Sequence, residues 1–105
     1  ASHISKVKAY IDANYKDTTL NIPLLAERAG VSEVYFRRLF KEQYGISPSG
    51  YIEKVRLDTA RQMMKYSFFT IEECALQNGF TSVQYFCRVF KKMYGQTPGE
   101  YRKQI

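Results

Sequence analysis

Four residues in the second half of the chain, Gln84, Cys87, Arg88 and Lys91, stand at positions i, i+3, i+4 and i+7. This spacing places them on one face of an α-helix, where an amide and two cations lie together without an acid. An amide can read the edge of a base and cations bind phosphate oxygens, so the face suits a nucleic acid. A charged helix face that is merely solvated is the competing interpretation.

The helix that must carry this face spans residues 83–95. Phe86, Val89, Phe90 and Met93 recur with the same period on its other side. This apolar period predicts an amphipathic helix with these four residues in the core.

The same stretch occurs twice, at an offset of fifty residues. Nine residues are identical at this offset: Tyr35, Phe36, Arg38, Phe40, Lys41, Tyr44, Gly45, Pro48 and Tyr51 match Tyr85, Phe86, Arg88, Phe90, Lys91, Tyr94, Gly95, Pro98 and Tyr101. Upstream, one residue is inserted in the second copy, and Ile22, Ala26 and Gly30 pair with Ile71, Ala75 and Gly79. The chain therefore contains a duplicated helical unit.

A shorter helix and a tight turn precede the amphipathic helix in each copy. In the first copy Asn21 caps a helix that stops at Gly30, and Ser32 caps the next helix to about Tyr44. The residues predicted to face inward on the short helix are Leu24, Leu25 and Ala26. A short helix, a glycine-containing turn and a second helix form the helix-turn-helix pattern.

Helices outside the repeated stretch complete the chain. Ser2 can cap a first helix to about Tyr15, which has no counterpart in the repeat and is expected to support the first unit. Ser47, with Pro48 at the first helical position, opens a long helix to residues 64–66. About eighteen residues at about 1.5 Å each span about 27 Å, so this helix can act as a rigid spacer.

The second unit has its own start signals. Thr70 with Glu73 forms a capping box, and Thr97 with Pro98 starts a final short helix. No strand-like alternation appears, so the predicted fold class is all-α, with two helix-turn-helix units joined by a long linker helix and about seven helices in total. The expected division is a first unit with its support helix at 1–46, a linker helix at 47–66 and a second unit at 67–105.

Composition and charge narrow the functional classes. The chain has 105 residues, a formal charge of +6 and a pI near 9.4, which favours a polyanionic partner. No apolar run is long enough to cross a bilayer and no signal peptide opens the chain, so a cytoplasmic protein without a membrane partner is expected.

The cysteines predict neither a metal site nor a disulfide. Cys74 and Cys87, with the single histidine His3, cannot supply the usual four zinc ligands, and no cofactor is expected. Cys74 is in register with Leu25, which predicts burial, and Cys87 is in register with Arg37 on the exposed face.

The second copy resembles a known family in its motif. It resembles the signature of the AraC/XylS family of bacterial transcription regulators. The residues that carry the resemblance are Gly79-Phe80-Thr81-Ser82, Tyr85-Phe86, Arg88, Phe90-Lys91-Lys92, Gly95, Thr97-Pro98 and Tyr101-Arg102. The first copy departs from it in the turn, where Val31 and Ser32 stand in place of Phe80, Thr81 and Ser82. The resemblance covers nearly the whole chain and implies two helix-turn-helix units whose second helices enter successive major grooves of double-stranded DNA.

The resemblance also implies which residues contact DNA and which partners accompany it. The base-reading positions are Val34, Arg37 and Arg38 in the first unit and Val83, Gln84, Cys87 and Arg88 in the second. RNA polymerase is a further expected partner. A separate effector or dimerisation domain, outside this chain, is expected in the full-length protein.

The chemistry of these side chains agrees with such a role. Arginines at 37, 38 and 88 could each clamp guanine O6 and N7, Gln84 suits adenine, and valines at 34 and 83 suit a thymine methyl. Phosphate contact stays open for each arginine, because half to two-thirds of such contacts go to the backbone. The lysines farther along the helices are expected to bind phosphate: Lys41, Lys91 and Lys92.

Other functional classes explain less of the sequence. Tyr and Phe among basic residues could stack on single-stranded bases, but their helical period favours the core, with Tyr35 and Tyr85 at its edge. An enzyme is not expected, and Cys87 as a methyl acceptor lacks a nearby group to activate its thiol. A helical module that docks only on another protein is the remaining alternative, and the twin basic faces argue against it.

Overall fold

The computed structural model describes residues 2–105, without the side chain of Ser2. These residues form seven α-helices: α1 Ser2–Asn14, α2 Ile22–Ala29, α3 Glu33–Tyr44, α4 Pro48–Tyr66, α5 Ile71–Gln77, α6 Val83–Tyr94 and α7 Pro98–Gln104. No strand occurs among them. The all-α fold with two helix-turn-helix units is confirmed. The predicted cap of α1 by Ser2 lies outside the described residues.

The helix starts follow the local sequence. Ser32 Oγ accepts a hydrogen bond from the Tyr35 amide (3.2 Å), and Ser47 Oγ accepts one from the Gly50 amide (3.1 Å). These bonds satisfy amides that would otherwise lack a partner in the first turn. The predicted caps of α3 and α4 are confirmed.

Capping boxes open α5 and α7, as the sequence predicts for α5. The Thr70 amide donates to Glu73 Oε1 (2.9 Å), and the Thr97 amide donates to Glu100 Oε1 (2.8 Å). These amides hold the pKa values of Glu73 and Glu100 below their ordinary range, because the bonds favour the ionised carboxylates.

The chain divides into two compact units, residues 1–55 and 56–105, with the boundary inside α4. In the first unit, α1, α2, α3 and the first turns of α4 bury one apolar cluster. Its members are Ile4, Val7, Ile11, Leu25, Ala26, Ala29, Phe36, Phe40 and Ile52. This core holds α3 so that its polar side faces solvent.

The second unit is built in the same way, with the C-terminal part of α4 in the place of α1. Its core contains Leu57, Ala60, Met64, Cys74, Ala75, Phe80, Phe86, Val89 and Phe90. The spacing of Ile4, Val7 and Ile11 equals that of Leu57, Ala60 and Met64. The expectation that α1 has no counterpart is therefore wrong, because the match lies at an offset of 53 rather than fifty.

Two residues predicted to face the core are exposed instead. Leu24 is 49% exposed. Consecutive residues lie about 100° apart on a helix, so three in a row cannot all face the core, and here only Leu25 and Ala26 do. Met93 is 40% exposed at the end of α6, where Tyr94 packs on Phe90 with ring centroids 4.6 Å apart. The other predicted core residues of α6 are buried.

Within the described residues, the seven helices include none with the length and apolar content needed to span a membrane.

Candidate nucleic-acid interface

The solvent-facing side of α6 carries the cations that the sequence singled out. Gln84, Arg88, Lys91 and Lys92 are all exposed. The Arg88 guanidinium carbon lies 5.1 Å from the ring centroid of Tyr85. Because α6 contains no acid, these cations have no competing carboxylate on their own helix.

Two of the candidate residues on α6 are less accessible than expected. Val83 is half-buried, and Cys87 is half-buried with its side chain against the core of the second unit. The expectation that Cys87 is exposed is wrong, because it lies between the exposed and core sides of α6. Both cysteines are free, and Cys74 is buried as predicted.

The solvent-facing side of α3 repeats this arrangement. Val34 is 78% exposed, and Arg37, Arg38 and Lys41 are exposed beside it. The Arg38 guanidinium carbon lies 4.9 Å from the ring centroid of Tyr35, as Arg88 lies over Tyr85 in α6. Both tyrosines are partly exposed, which confirms their expected place at the edge of the core.

Two acids outside the predicted site, Glu33 and Glu42, distinguish α3 from α6. Arg37 Nη1 lies 3.9 Å from Glu33 Oε2, and Arg38 Nε lies 3.8 Å from Glu42 Oε1. Solvent-exposed pairs of this kind contribute about 0–1 kcal/mol, so a stronger anion can displace them. Their signal in the sequence is the i, i+4 spacing of acid and arginine.

The turns that position the two helices differ in length. In the first unit Gly30 adopts φ 73° at the end of α2, a conformation that favours glycine. In the second unit the buried side chain of Asn78 donates from Nδ2 to the Cys74 carbonyl (2.7 Å), and Phe80 packs edge-on against Phe86. Asn78 and Phe80 thus stabilise the longer turn, and no sequence pattern predicts the role of Asn78.

A polar contact joins α6 to α4. The Tyr94 hydroxyl donates to Asp58, and the Arg61 guanidinium carbon lies 4.4 Å from the Tyr94 ring centroid. Burial, together with the hydrogen bond to Asp58, raises the pKa of Tyr94.

The first unit has a related contact beside α3. Lys8 pairs with Asp12 (3.2 Å) and lies 5.5 Å from the Tyr44 ring centroid. Tyr51 donates to Asp12, and hydrogen bonds with Tyr51 and Asp12 raise the pKa of Lys8. Lys8 and Arg61 are therefore equivalent supports for the two solvent-facing helices.

The corner between α4 and α5 is held by Arg102 of α7. Arg102 Nη2 donates to the carbonyl oxygens of Met64 (3.0 Å) and Ser67 (3.4 Å), and Nη1 donates to that of Phe69. Arg102 adds to the basic charge of the second unit, but its guanidinium is hydrogen-bonded to these backbone carbonyl oxygens. Phe68 lies fully exposed at this corner.

No group of three or more His, Cys, Asp or Glu side chains comes together as metal ligands do in the part of the chain that the structure describes.

Two helix-turn-helix units, each with an exposed basic second helix, define the class of this protein. A family of helix-turn-helix domains matches residues 25–104. The regulatory protein PocR of Salmonella typhimurium is 36% identical over 104 residues, which cover 99% of this chain and 34% of PocR. The chain thus spans about a third of the length of this relative.

Solved structures agree with that match. The C-terminal domain of AraT, a response regulator from Geobacillus stearothermophilus, has a TM-score of 0.94 and 28% identity, covering 100% of this chain and 87% of that chain. A transcriptional regulator from Chromobacterium violaceum, described as having an AraC-type DNA-binding domain, has a TM-score of 0.85 and 30% identity, covering 98% and 91%. The chain belongs to the helix-turn-helix domains of the AraC/XylS family.

Proposed function

We propose that this domain binds double-stranded DNA sequence-specifically as part of a bacterial transcription regulator. The observation that carries the proposal is the duplicated exposed arginine, Arg38 on α3 and Arg88 on α6, each lying over the tyrosine three residues before it. Relatives described as transcriptional regulators support it. This role requires no catalytic residue.

The exposed residues of α6 match the major groove in their chemistry. Arg88 can donate to guanine O6 and N7, and Gln84 can pair with adenine N6 and N7. The Tyr85 ring restricts the guanidinium of Arg88, which reduces the side-chain entropy lost on binding. Val34 on α3 presents an apolar surface suited to a thymine methyl.

The lysines suit phosphate contacts. Lys91 and Lys92 lie in the last turn of α6, and Lys41 lies in the last turn of α3. Helix α6 has three cations and no acid, whereas α3 has three cations and two acids. Helix α6 should therefore supply the larger part of the electrostatic attraction.

We propose further that α3 and α6 enter successive major grooves on one side of the duplex. Such grooves are about 34 Å apart. Helix α4 supports this arrangement because its 19 residues run without interruption from one unit into the other. In this proposal residues 47–66 link the two DNA-contacting parts of the chain, 1–46 and 67–105, while the two ends of α4 also complete the two cores.

The salt dependence of binding tests the proposal. If about six phosphates are neutralised, log K should fall with log salt with a slope of about −5. Changing Lys91 and Lys92 together to Ala should reduce this slope by about two and weaken all sequences equally. Lys6 and Lys16, exposed residues of the first unit, provide a control pair of equal charge whose removal should leave the slope nearly unchanged.

Fluorescence anisotropy with a labelled duplex, titrated at several salt concentrations, gives both measurements. A slope near zero for the parent protein contradicts DNA binding. Equal slopes for the Lys91/Lys92 variant and the Lys6/Lys16 control contradict the assignment of the two α6 lysines.

We also propose a protein contact with RNA polymerase through the α4–α5 corner. Phe68 and Tyr66 are strongly exposed there, so this chain leaves most of their apolar surface open to a partner. Exposed Glu72 and Glu73 follow on α5, so the surface fits an apolar polymerase segment flanked by basic residues. Hydrogen bonds from Arg102 to three backbone carbonyl oxygens stabilise this corner.

Transcription from a template that carries the bound site tests this contact. Phe68→Ser should leave DNA affinity unchanged and reduce polymerase recruitment to the promoter. Equal recruitment by the variant and the parent contradicts the contact.

We also propose a separate effector or dimerisation domain in the full-length protein, since the chain spans 34% of PocR.

A further inference from the structure

Glu33 occupies a position on α3 that the proposed DNA contacts leave unused. It is the first residue of α3, and the fifty-residue offset places it in register with Val83 at the start of α6. Its partner Arg37 is in register with Cys87. An ion pair at 3.9 Å in the first unit is thus replaced by two half-buried, uncharged residues in the second.

The first turn of the second helix is where a helix-turn-helix contacts base edges. A carboxylate there is repelled by phosphates, so it cannot serve as a backbone contact. Its favourable partner in the major groove is the N4 amino group of cytosine, which donates a hydrogen bond.

Arg37 makes such a carboxylate tolerable at the DNA surface. A carboxylate that loses water without a partner carries a large free-energy penalty, and a nearby guanidinium reduces it. The side chains of Glu33 and Arg37 are 44% and 52% exposed, so both can reach an approaching duplex without unpacking the core.

We infer that Glu33 is a specificity-determining residue that accepts a hydrogen bond from cytosine N4, with Arg37 held beside it. The inference rests on the proposed DNA-binding function. It adds an acidic residue to the base-reading positions of the first unit, whereas the residue in register in the second unit is the uncharged Val83.

Glu42 provides the matched comparison within the same helix. It pairs with Arg38 at 3.8 Å, also at i, i+4, and removing either acid changes the charge of α3 equally. Glu42 lies in the last turn and is in register with Lys92, at the end proposed to face phosphates. Its carboxylate should therefore weaken DNA binding without selecting a base of its own.

The experiment is a site selection from random duplexes with the parent, Glu33→Gln, Glu33→Ala and Glu42→Gln. Glutamine pairs with adenine N6 and N7, so Glu33→Gln should shift one selected position from cytosine towards adenine. Glu33→Ala should reduce the preference for cytosine at that position by about tenfold. Glu42→Gln should keep every selected base and tighten binding, because Arg38 no longer has to leave a carboxylate to reach DNA.

The outcomes separate this inference from the proposed function. A parent that selects no sequence overturns both. A parent with a defined site that Glu33→Gln and Glu33→Ala leave unchanged overturns the role of Glu33 alone. Circular dichroism checks that α3 remains folded, and if Glu33→Ala loses helix, the decision rests on the Gln variant, whose side chain has the same length.

Discussion

At the scale of single residues, Tyr94 contributes to the second unit in two ways. Its ring packs on Phe90, and its hydroxyl donates to Asp58 of α4. Burial is the main cause of the raised pKa of Tyr94, and the bond to Asp58 adds to it. The folded protein therefore keeps this hydroxyl neutral at pH values where an unfolded tyrosine ionises.

Replacing Tyr94 by Phe should lower the free energy of unfolding by about 1 kcal/mol at neutral pH, since it removes one hydrogen bond and keeps the ring. A pKa raised on folding gives a contribution that is full below the unfolded pKa of about 10 and is lost as the pH rises above it. Urea unfolding at about pH 8 and about pH 11 should show the difference between parent and variant shrinking.

Tyr66→Phe is the control, because Tyr66 is 74% exposed and its hydroxyl should contribute little. A Tyr94→Phe variant that differs from the parent by the same amount at both pH values would contradict the assigned pKa shift. A loss no larger than that of the control would contradict the contribution of the bond to Asp58.

Residues on the two exposed faces could be predicted because the duplication fixes their register. Arg38 and Arg88 were recognised in this way, and both are exposed over a tyrosine. Asn78 could not be predicted, because a buried amide is favourable only once its donor finds a particular carbonyl. Glu33 and Glu42 were visible as i, i+4 partners, but their effect depends on side-chain geometry that spacing alone does not give.

At the scale of helices, start and stop signals were the most informative part of the sequence. Caps at Ser32, Ser47 and Thr70 appear where predicted, because each serves an amide within three residues. Local chemistry of this kind needs no knowledge of the tertiary structure.

The double role of α4 was not predicted. Its first turns complete the first core through Ile52, and its later turns supply Leu57, Ala60 and Met64 to the second. Because the apolar residues of α4 serve two cores, they need not follow one amphipathic period, so the apolar pattern of α4 indicates a helix but not its two cores. Which unit each apolar residue joins is decided by tertiary packing.

Helix α7 shows the same limit for charged residues. From composition alone, Arg102 counts with the cations of the second unit. In the structure its guanidinium donates to three carbonyl oxygens at the α4–α5 corner. Net charge therefore overstates the number of cations available to DNA in this unit.

At the scale of the whole molecule, the proposed function has each unit read its own part of one DNA. Each unit has its own core, its own solvent-facing helix and its own arginine over a tyrosine. Because α3 and α6 belong to different units, a substitution on one should leave the packing of the other intact. Their contributions to binding should then be independent.

Arg38→Ala and Arg88→Ala should each relax specificity at a different base position, with the two positions about 10 bp apart, one helical turn. Each should cost about 1–3 kcal/mol of binding free energy if the arginine reads a guanine through two hydrogen bonds. The larger loss is expected for Arg88, because Arg38 already pairs with Glu42 and must release it to bind. Since the sites share no contacts, the two losses should nearly add in the double variant.

Site selection with each single variant, followed by titration of the double variant on the parent site, measures the relaxed base positions, the losses of binding free energy and their additivity. Lys6→Ala, on the exposed side of α1, is the control for loss of one positive charge and should keep the selected sequence. Relaxation of the same base pair by both arginine variants would contradict two separate grooves. A double variant that binds no worse than Arg88→Ala alone would show that Arg38 makes no base contact, because its removal would then cost no binding free energy.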